Sequence, residues 1–290
     1  MLTLAIVIPT KDRPLFVRAA ALAALDAVAE NGRVIVVDDH GEKPATDALA
    51  DINDPRLKIL RNTGDHGPSN ARNFGVAQAK SDLILFADDD DLLKPGYPAH
   101  IIGLAQSARY GFCATENFTS PPTQTPPFKA QNALDIGTLP FRKQLGGLGC
   151  GFWIYRKDFQ DVGGIDPRLL VNEDTDFSIR LLAANLAGTF ETGIGVMIRQ
   201  HISSRASGDL GQITKRANSG DRADYFAAII AQNAPYLNQR PTAKRYLTKR
   251  LVKMRAKAGQ IPAGISACNG SPPLLLYFFI NYLAYRINGE

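Results

Sequence analysis

Four consecutive carboxylates, Asp88, Asp89, Asp90 and Asp91, follow an unbroken apolar run from Leu83 to Ala87. A run of that length reads as a strand buried on both faces, the pattern of a parallel sheet covered by helices. Successive strand residues point to opposite faces. If the extended geometry persists, Asp88 and Asp90 share one side and Asp89 and Asp91 the other. Two carboxylates at the carboxyl end of a buried strand suit a hard divalent cation that also holds a phosphate. Without a cation, so much like charge in a cleft raises some of the carboxyl pKa values. The same four residues also suit a solvated acidic loop or a helix N-terminus, so the elements around them have to decide.

Those elements alternate. Residues 2–8 form an apolar strand ending at Pro9 and Thr10, with Lys11, Asp12 and Arg13 as a turn. Pro14 opens an Ala-rich helix expected to run to Asn31-Gly32. A second strand, Val34 to Val37, delivers Asp38 and Asp39 at its end. A short helix over 45–52, a strand over 57–60, a Gly-rich loop and a helix over 69–80 lead to the strand at Leu83. This order predicts an α/β fold with a doubly wound parallel sheet, whose ligand crevice lies outside the carboxyl ends of the strands. Asp12, Asp39 and Asp88 to Asp91 would all fall on that edge, although strand ends are also where polar loops begin.

The chain has 290 residues, 45% hydrophobic and 21% charged, enough for one large domain or a domain with an extension. Its three cysteines, Cys113, Cys150 and Cys268, are widely spaced without CxxC, which argues against a disulfide framework or a zinc site and favours a reducing cytosol. The first residues are apolar and then basic, the reverse of a signal peptide, and no apolar run reaches 18 residues. The net charge of +5 is unevenly placed: from Lys215 to Lys257 there are 11 Lys and Arg against two Asp. No nucleic-acid recognition motif accompanies this basic segment and few aromatics interleave it, so an anionic lipid or glycan fits better than a nucleic acid.

The blocks IVIPTKDR, VIVVDD, NTGDHGPSNARNFG and LILFADDDD resemble, in order and spacing, the motifs of family 2 glycosyltransferases with the GT-A fold. The resemblance is dense over residues 3–100 and thinner to about 205. It implies a GT-A domain over 1–211, with a nucleotide-sugar half (1–100) and an acceptor half (101–211), followed by a basic helical extension over 212–290. It implies an enzyme moving a sugar from a nucleotide-diphosphate sugar, a UDP-sugar first among them, to a hydroxyl of a glycan or glycolipid, with inversion. Polysaccharide or lipopolysaccharide assembly is the implied setting.

For the donor, the resemblance points to Pro9, Thr10, Asp12 and Asp39 at the base and ribose, and to Arg72, Asp88 and Asp89 at the phosphates and sugar. Asp88, Asp90 and His201 would ligate Mn2+ or Mg2+, His201 from a position near the metal and diphosphate, or Arg199 and Arg205 could serve the diphosphate instead. In NEDTDF, Asp174 would be the general base and Glu173 an acceptor contact, while as plain structure the same residues suit a helix start. Gly163 and Gly164 would let backbone approach a sugar closely, and Trp153 would offer a stacking face, although a lone Trp in an apolar run also suits a core. The segment SPPTQTPPF (119–127) is a loop without periodicity.

From about Gln212 the pattern is helical. Its last stretch, Leu274 to Ile287, is too short to span a bilayer and would lie in a membrane interface at the cytoplasmic side, pack back on its own domain, or form a homodimer contact. Two rival functions stay open. A metal-dependent nucleotidyltransferase uses similar acids, but TKDRP lacks the glycines of its phosphate loop. The other rival is a non-catalytic peripheral membrane or glycan-binding protein.

Overall fold

The computed structural model describes residues 1–201 and 217–288, and the expected alternative at Arg205 lies outside them. The chain divides into two compact units, Met1–Arg168 with Ala184–Asp209, and Leu169–Ala183 with Leu210–Glu290.

The first unit is built on a mixed, mostly parallel sheet of nine strands among the described residues. Strand β1 (Leu4–Thr10) is buried along its whole length. It pairs in parallel with β2 (Arg33–Asp38) on one side. Beyond β2 lies β3 (Leu57–Arg61), and on the other side of β1 lies β4 (Leu83–Phe86), all four strands parallel. The apolar runs of β1, β2 and β4 reflect this two-sided burial.

Past the short β5 (Leu92–Leu93) come β6 (Tyr110–Phe118), β7 (Ala133–Asp135), β8 (Trp153–Tyr155) and β9 (Gly188–Arg199). β8 is antiparallel to both β4 and β6, and β6 is parallel to β9. The two antiparallel steps cancel, so β9 ends at the same edge as β1 and β4. β5 and β7 both pair antiparallel with β9.

Helix α1 (Pro14–Ala27) starts with proline at its first turn. It stops before the expected Asn31-Gly32 because Val28 turns to extended backbone, with ψ 141°, and buries its side chain. α2 (Ala45–Ala48) is a single turn, shorter than expected. α3 (Pro68–Gln78) lies on β1 and β2, and the reason it can lie so close is Gly75. A Cβ there would come within 2.5 Å of Val7 Cγ1 and 3.1 Å of Val37 Cγ2. α4 (Tyr97–Leu104), α5 (Phe141–Gln144) and α6 (Arg156–Asp161) complete the unit, and residues 119–127 form no helix or strand.

The second unit is helical. α7 (Glu173–Ala183) opens after Asn172, which stands at φ 65°. α8 (Ser219–Gln232), α9 (Ala234–Asn238), α10 (Pro241–Lys257), α11 (Ile261–Ala267) and α12 (Pro272–Asn288) follow. The buried carboxylate of Asp176 joins α7 to the α8–α9 junction. It accepts from Arg180 Nε at 2.8 Å, Gln232 Nε2 at 2.5 Å and Asn233 Nδ2 at 2.8 Å. No helix among the described residues is long and apolar enough to cross a membrane.

Candidate functional site

The acidic stretch is a turn, not a continued strand. β4 ends at Phe86, and the Asp91 N–H donates to the Asp88 carbonyl at 3.3 Å. The expected alternation is therefore broken. Turn closure brings Asp91 round to Asp88 and Asp90, and ligand oxygens of these three all lie within 4.8 Å of one another. Asp89 alone points away, toward the end of β1.

Each of the four carboxylates is met by a group from a distant segment. Thr10 Oγ1, at the end of β1, donates to Asp89 Oδ2 at 2.7 Å in a buried contact. Arg13, just before α1, reaches Asp89 Oδ1 and Asp90 Oδ2, each at 3.0 Å. Arg72, from the first turns of α3, lies 2.5 Å from Asp88 Oδ1. The backbone N–H of Arg199, at the end of β9, donates to Asp91 Oδ1 at 2.8 Å, and its guanidinium lies over the rings of Phe16 and Phe118. His201 Nε2 lies 2.7 Å from Asp90 Oδ2, with its ring edge-on to Phe16. It touches the acidic cluster through Asp90, and Asp91 is the third carboxylate within it.

The electrostatics follow from this crowding. Burial pushes the Asp91 carboxyl up to about 9, helped by the neighbouring charges of Asp88 and Asp90. Burial likewise raises Asp89 to about 6, with Asp90 adding to the rise and Arg13 opposing it. Three carboxylates drawn together, one of them buried, have the donor set for a hard divalent cation, which would take the place of the proton at Asp91. Asp88, Asp90 and Asp91 fit such an ion.

The second strand's acids build the adjoining wall. Asp39 Oδ1 accepts from Asn62 Nδ2 at 2.9 Å and its Oδ2 from the Gly67 N–H at 2.7 Å, and its own N–H donates to the Thr10 carbonyl at 2.8 Å. The carboxylate thus ties β2 to the loop before α3. Pro9 is buried beside Thr10. Asp12 stands at φ 56°, and its carboxylate accepts the Lys43 N–H at 2.9 Å, so it faces the segment between β2 and α2.

Gly163 and Gly164 have φ of 86° and 67°, which a side chain would strain. Their turn is pinned to α3 by Asn73, whose Nδ2 donates to the Ile165 carbonyl at 2.8 Å while its Oδ1 accepts the Ile165 N–H at 2.9 Å. Trp153 corrects the sequence expectation. It is 0% exposed within the main core, so neither face of the indole is available to a sugar.

In the second unit, Glu173 and Asp174 occupy the first turn of α7, partly exposed, and Asp174 Oδ1 accepts the Thr175 N–H at 2.6 Å.

Three contributors were not singled out from the sequence: Arg13, Asp91 as a cluster member and Asn62. All three sit inside the quoted motif blocks, so their position was visible while their partners were not.

The fold and this acidic edge define a mixed, mostly parallel α/β scaffold with carboxylates gathered at the carboxyl ends of its strands. The glycosyl transferase family 2 profile matches residues 5–163, and the chain belongs to that family. It is 26% identical over 188 residues to an uncharacterized glycosyltransferase of Haemophilus influenzae, 62% of each chain. It is 33% identical over 85 residues to the succinoglycan biosynthesis protein ExoO of Rhizobium meliloti, 28% of this chain and 24% of that one. The chain thus spans less than two thirds of either relative's length. Among solved structures it resembles S. aureus TarS 1-349 in complex with UDP-GlcNAc, with a TM-score of 0.63 at 13% identity, covering 87% of this chain and 71% of that one. At that identity the likeness speaks for a shared fold.

Proposed function

We propose that this chain transfers a sugar from a nucleotide-diphosphate sugar to a hydroxyl acceptor, with inversion, in the building of a polysaccharide or lipopolysaccharide. One observation carries the proposal. Groups from the ends of β1 and β9 and from the start of α3 converge on the turn after β4, and the carboxylates there are crowded enough to hold protons. Family membership and the UDP-GlcNAc complex of S. aureus TarS support a nucleotide-sugar donor, and the name of ExoO supports a polysaccharide product.

In this scheme Pro9, Thr10, Asp12 and Asp39 line the base and ribose. Asp39 holds Asn62 and Gly67 yet keeps lone pairs for a further donor, since a carboxylate offers about four acceptor positions. Arg72 and Asp88, already paired, divide when the donor enters: the guanidinium turns to a phosphate or sugar oxygen. Bound at Asp88 and Asp90, with Asp91 beside them, Mn2+ or Mg2+ would supply Lewis-acid stabilisation of the departing diphosphate. His201 and Arg13 hold Asp90 and Asp89 in place. Asp174 takes the proton of the acceptor hydroxyl as that oxygen attacks the anomeric carbon in line with the breaking bond. Glu173, Gly163 and Gly164 contact the acceptor. Three widely spaced cysteines without a CxxC motif, Cys113, Cys150 and Cys268, support a reducing, cytoplasmic setting.

A thermal-shift panel of nucleoside diphosphates and their sugars, with and without Mn2+, tests the proposal. A metal-dependent rise in Tm for one nucleotide-sugar is expected, and loss of that rise in Asp90→Ala. The absence of any nucleotide effect with either Mn2+ or Mg2+ would defeat it.

A further inference from the structure

Helix α12 is apolar on two faces, and only one of them is covered. Phe278 is fully buried with Val252, Ala256 and Cys268, and Leu274, Leu275 and Tyr282 pack against that cluster. The other face carries Leu276, Phe279, Ile280, Leu283 and Ile287, exposed by 64, 42, 56, 55 and 79%. Their spacing of three, four, seven and eleven residues from Leu276 places all five on one stripe of a 3.6-residue helix. Isolated exposed apolar residues are ordinary, but a continuous stripe of five large ones on a soluble surface marks an interaction site.

The surroundings of the stripe select the partner. Residues 241–288 contain eight Lys and Arg and no Asp or Glu. Three of these cations lie over tyrosines of α12 itself: Lys249 Nζ is 5.9 Å from the Tyr277 ring, Lys257 Nζ 6.0 Å from Tyr285, and Arg286 Cζ 5.7 Å from Tyr282. At about 100° per residue, Tyr277 stands on one side of the stripe and Tyr282 with Arg286 on the other, while Tyr285 lies opposite it. An apolar stripe flanked by Tyr277 with Lys249 and by Tyr282 with Arg286 matches the interfacial layer of an anionic bilayer, where tails accept the stripe and headgroups the charges. A second copy of this chain fits poorly, because a two-fold contact would set the basic α10 and α12 of one copy, where among the described residues only Arg255 is paired with an acid, Asp224, against the same helices of the other.

We propose that α12 lies in the interface of an anionic lipid bilayer, with Leu276, Phe279, Ile280, Leu283 and Ile287 inserted and Lys249 and Arg286 against the headgroups. The helix has 17 residues and lies along the surface without crossing it. The proposal is independent of the sugar-transfer chemistry.

Flotation of the full chain with vesicles of phosphatidylcholine containing about 30 mol% phosphatidylglycerol, against pure phosphatidylcholine, tests it. The wild type should float with the anionic vesicles and not with the neutral ones. Ile280→Asp with Leu283→Asp should lower the bound fraction about tenfold, and Lys249→Gln with Arg286→Gln several-fold, each with unchanged circular dichroism. These positions are exposed, so folding should survive. Absence of flotation, flotation unaffected by the Asp pair, or a concentration-dependent dimer dissolved by that pair would each overturn the proposal.

Discussion

Thr10 Oγ1 donates to Asp89 Oδ2 at 2.7 Å, a buried bond between the ends of two parallel strands 79 residues apart in the chain. It fixes the turn of the acidic cluster against the edge of β1. Together with Arg13 it leaves Asp89 facing the protein, so that Asp88, Asp90 and Asp91 face one another.

Removing that donor should loosen the turn. Thr10→Val keeps the shape and leaves a buried carboxylate short of one partner, at a cost of about 1–3 kcal/mol. Urea unfolding should report a lower midpoint with an unchanged slope, and Thr10→Ser should recover most of the loss.

The metal-free protein should be most stable in mild acid. Asp89 is raised to about 6 and Asp91 to about 9. A carboxyl raised above its unfolded value contributes stability that is complete below the ordinary carboxylate range and is lost as pH rises through the folded pKa. Thermal unfolding in chelator should therefore show Tm falling between about pH 5 and 9. Saturating Mn2+ should flatten that slope, because the ion replaces the protons. A Tm that climbs across this range in chelator would contradict the arrangement of the turn.

Asp174→Asn tests the assigned base. Donor and metal binding, measured by calorimetry, should stay within a factor of about two, while transfer falls by roughly 10²–10⁴, the usual contribution of a general base. Near-normal transfer would remove the assignment.

Asp176, two residues on, should behave in the opposite way. Its carboxylate accepts from Arg180, Gln232 and Asn233 and is 0% exposed. Asp176→Ala removes the acceptor that these three side chains share, and leaving a buried donor unsatisfied typically costs about 1–3 kcal/mol. Chemical denaturation should show the helical unit weakened, with metal-dependent nucleotide binding reporting separately on the sheet.

Gly75→Ala should push α3 away from β1, since the added methyl would meet Val7. Overpacking of this kind costs about 1–3 kcal/mol. Because Arg72 rides on the same helix, nucleotide affinity should fall with stability, and Val7→Ala in the same chain should restore part of both.

The sequence by itself determined the α/β class, the order of the first four strands and the arrival of carboxylates at their carboxyl ends. Each of these follows from local signals: continuous apolar runs, a proline at a helix start, and polar residues at strand ends. The ordered blocks from IVIPTKDR to LILFADDDD also carried the family. Tertiary structure alone decided which carboxylates share a site. A single turn hydrogen bond moved Asp91 to the side of Asp88 and Asp90, an outcome that strand alternation cannot anticipate. The partners of the cluster, Thr10, Arg13, Arg72 and His201, lie between 16 and 111 residues from the carboxylates they meet. Only strand pairing, set by burial over the whole sheet, brings them together. The same burial took Trp153 out of the site, because the residues packed over it in the main core leave no part of the indole open to a ligand.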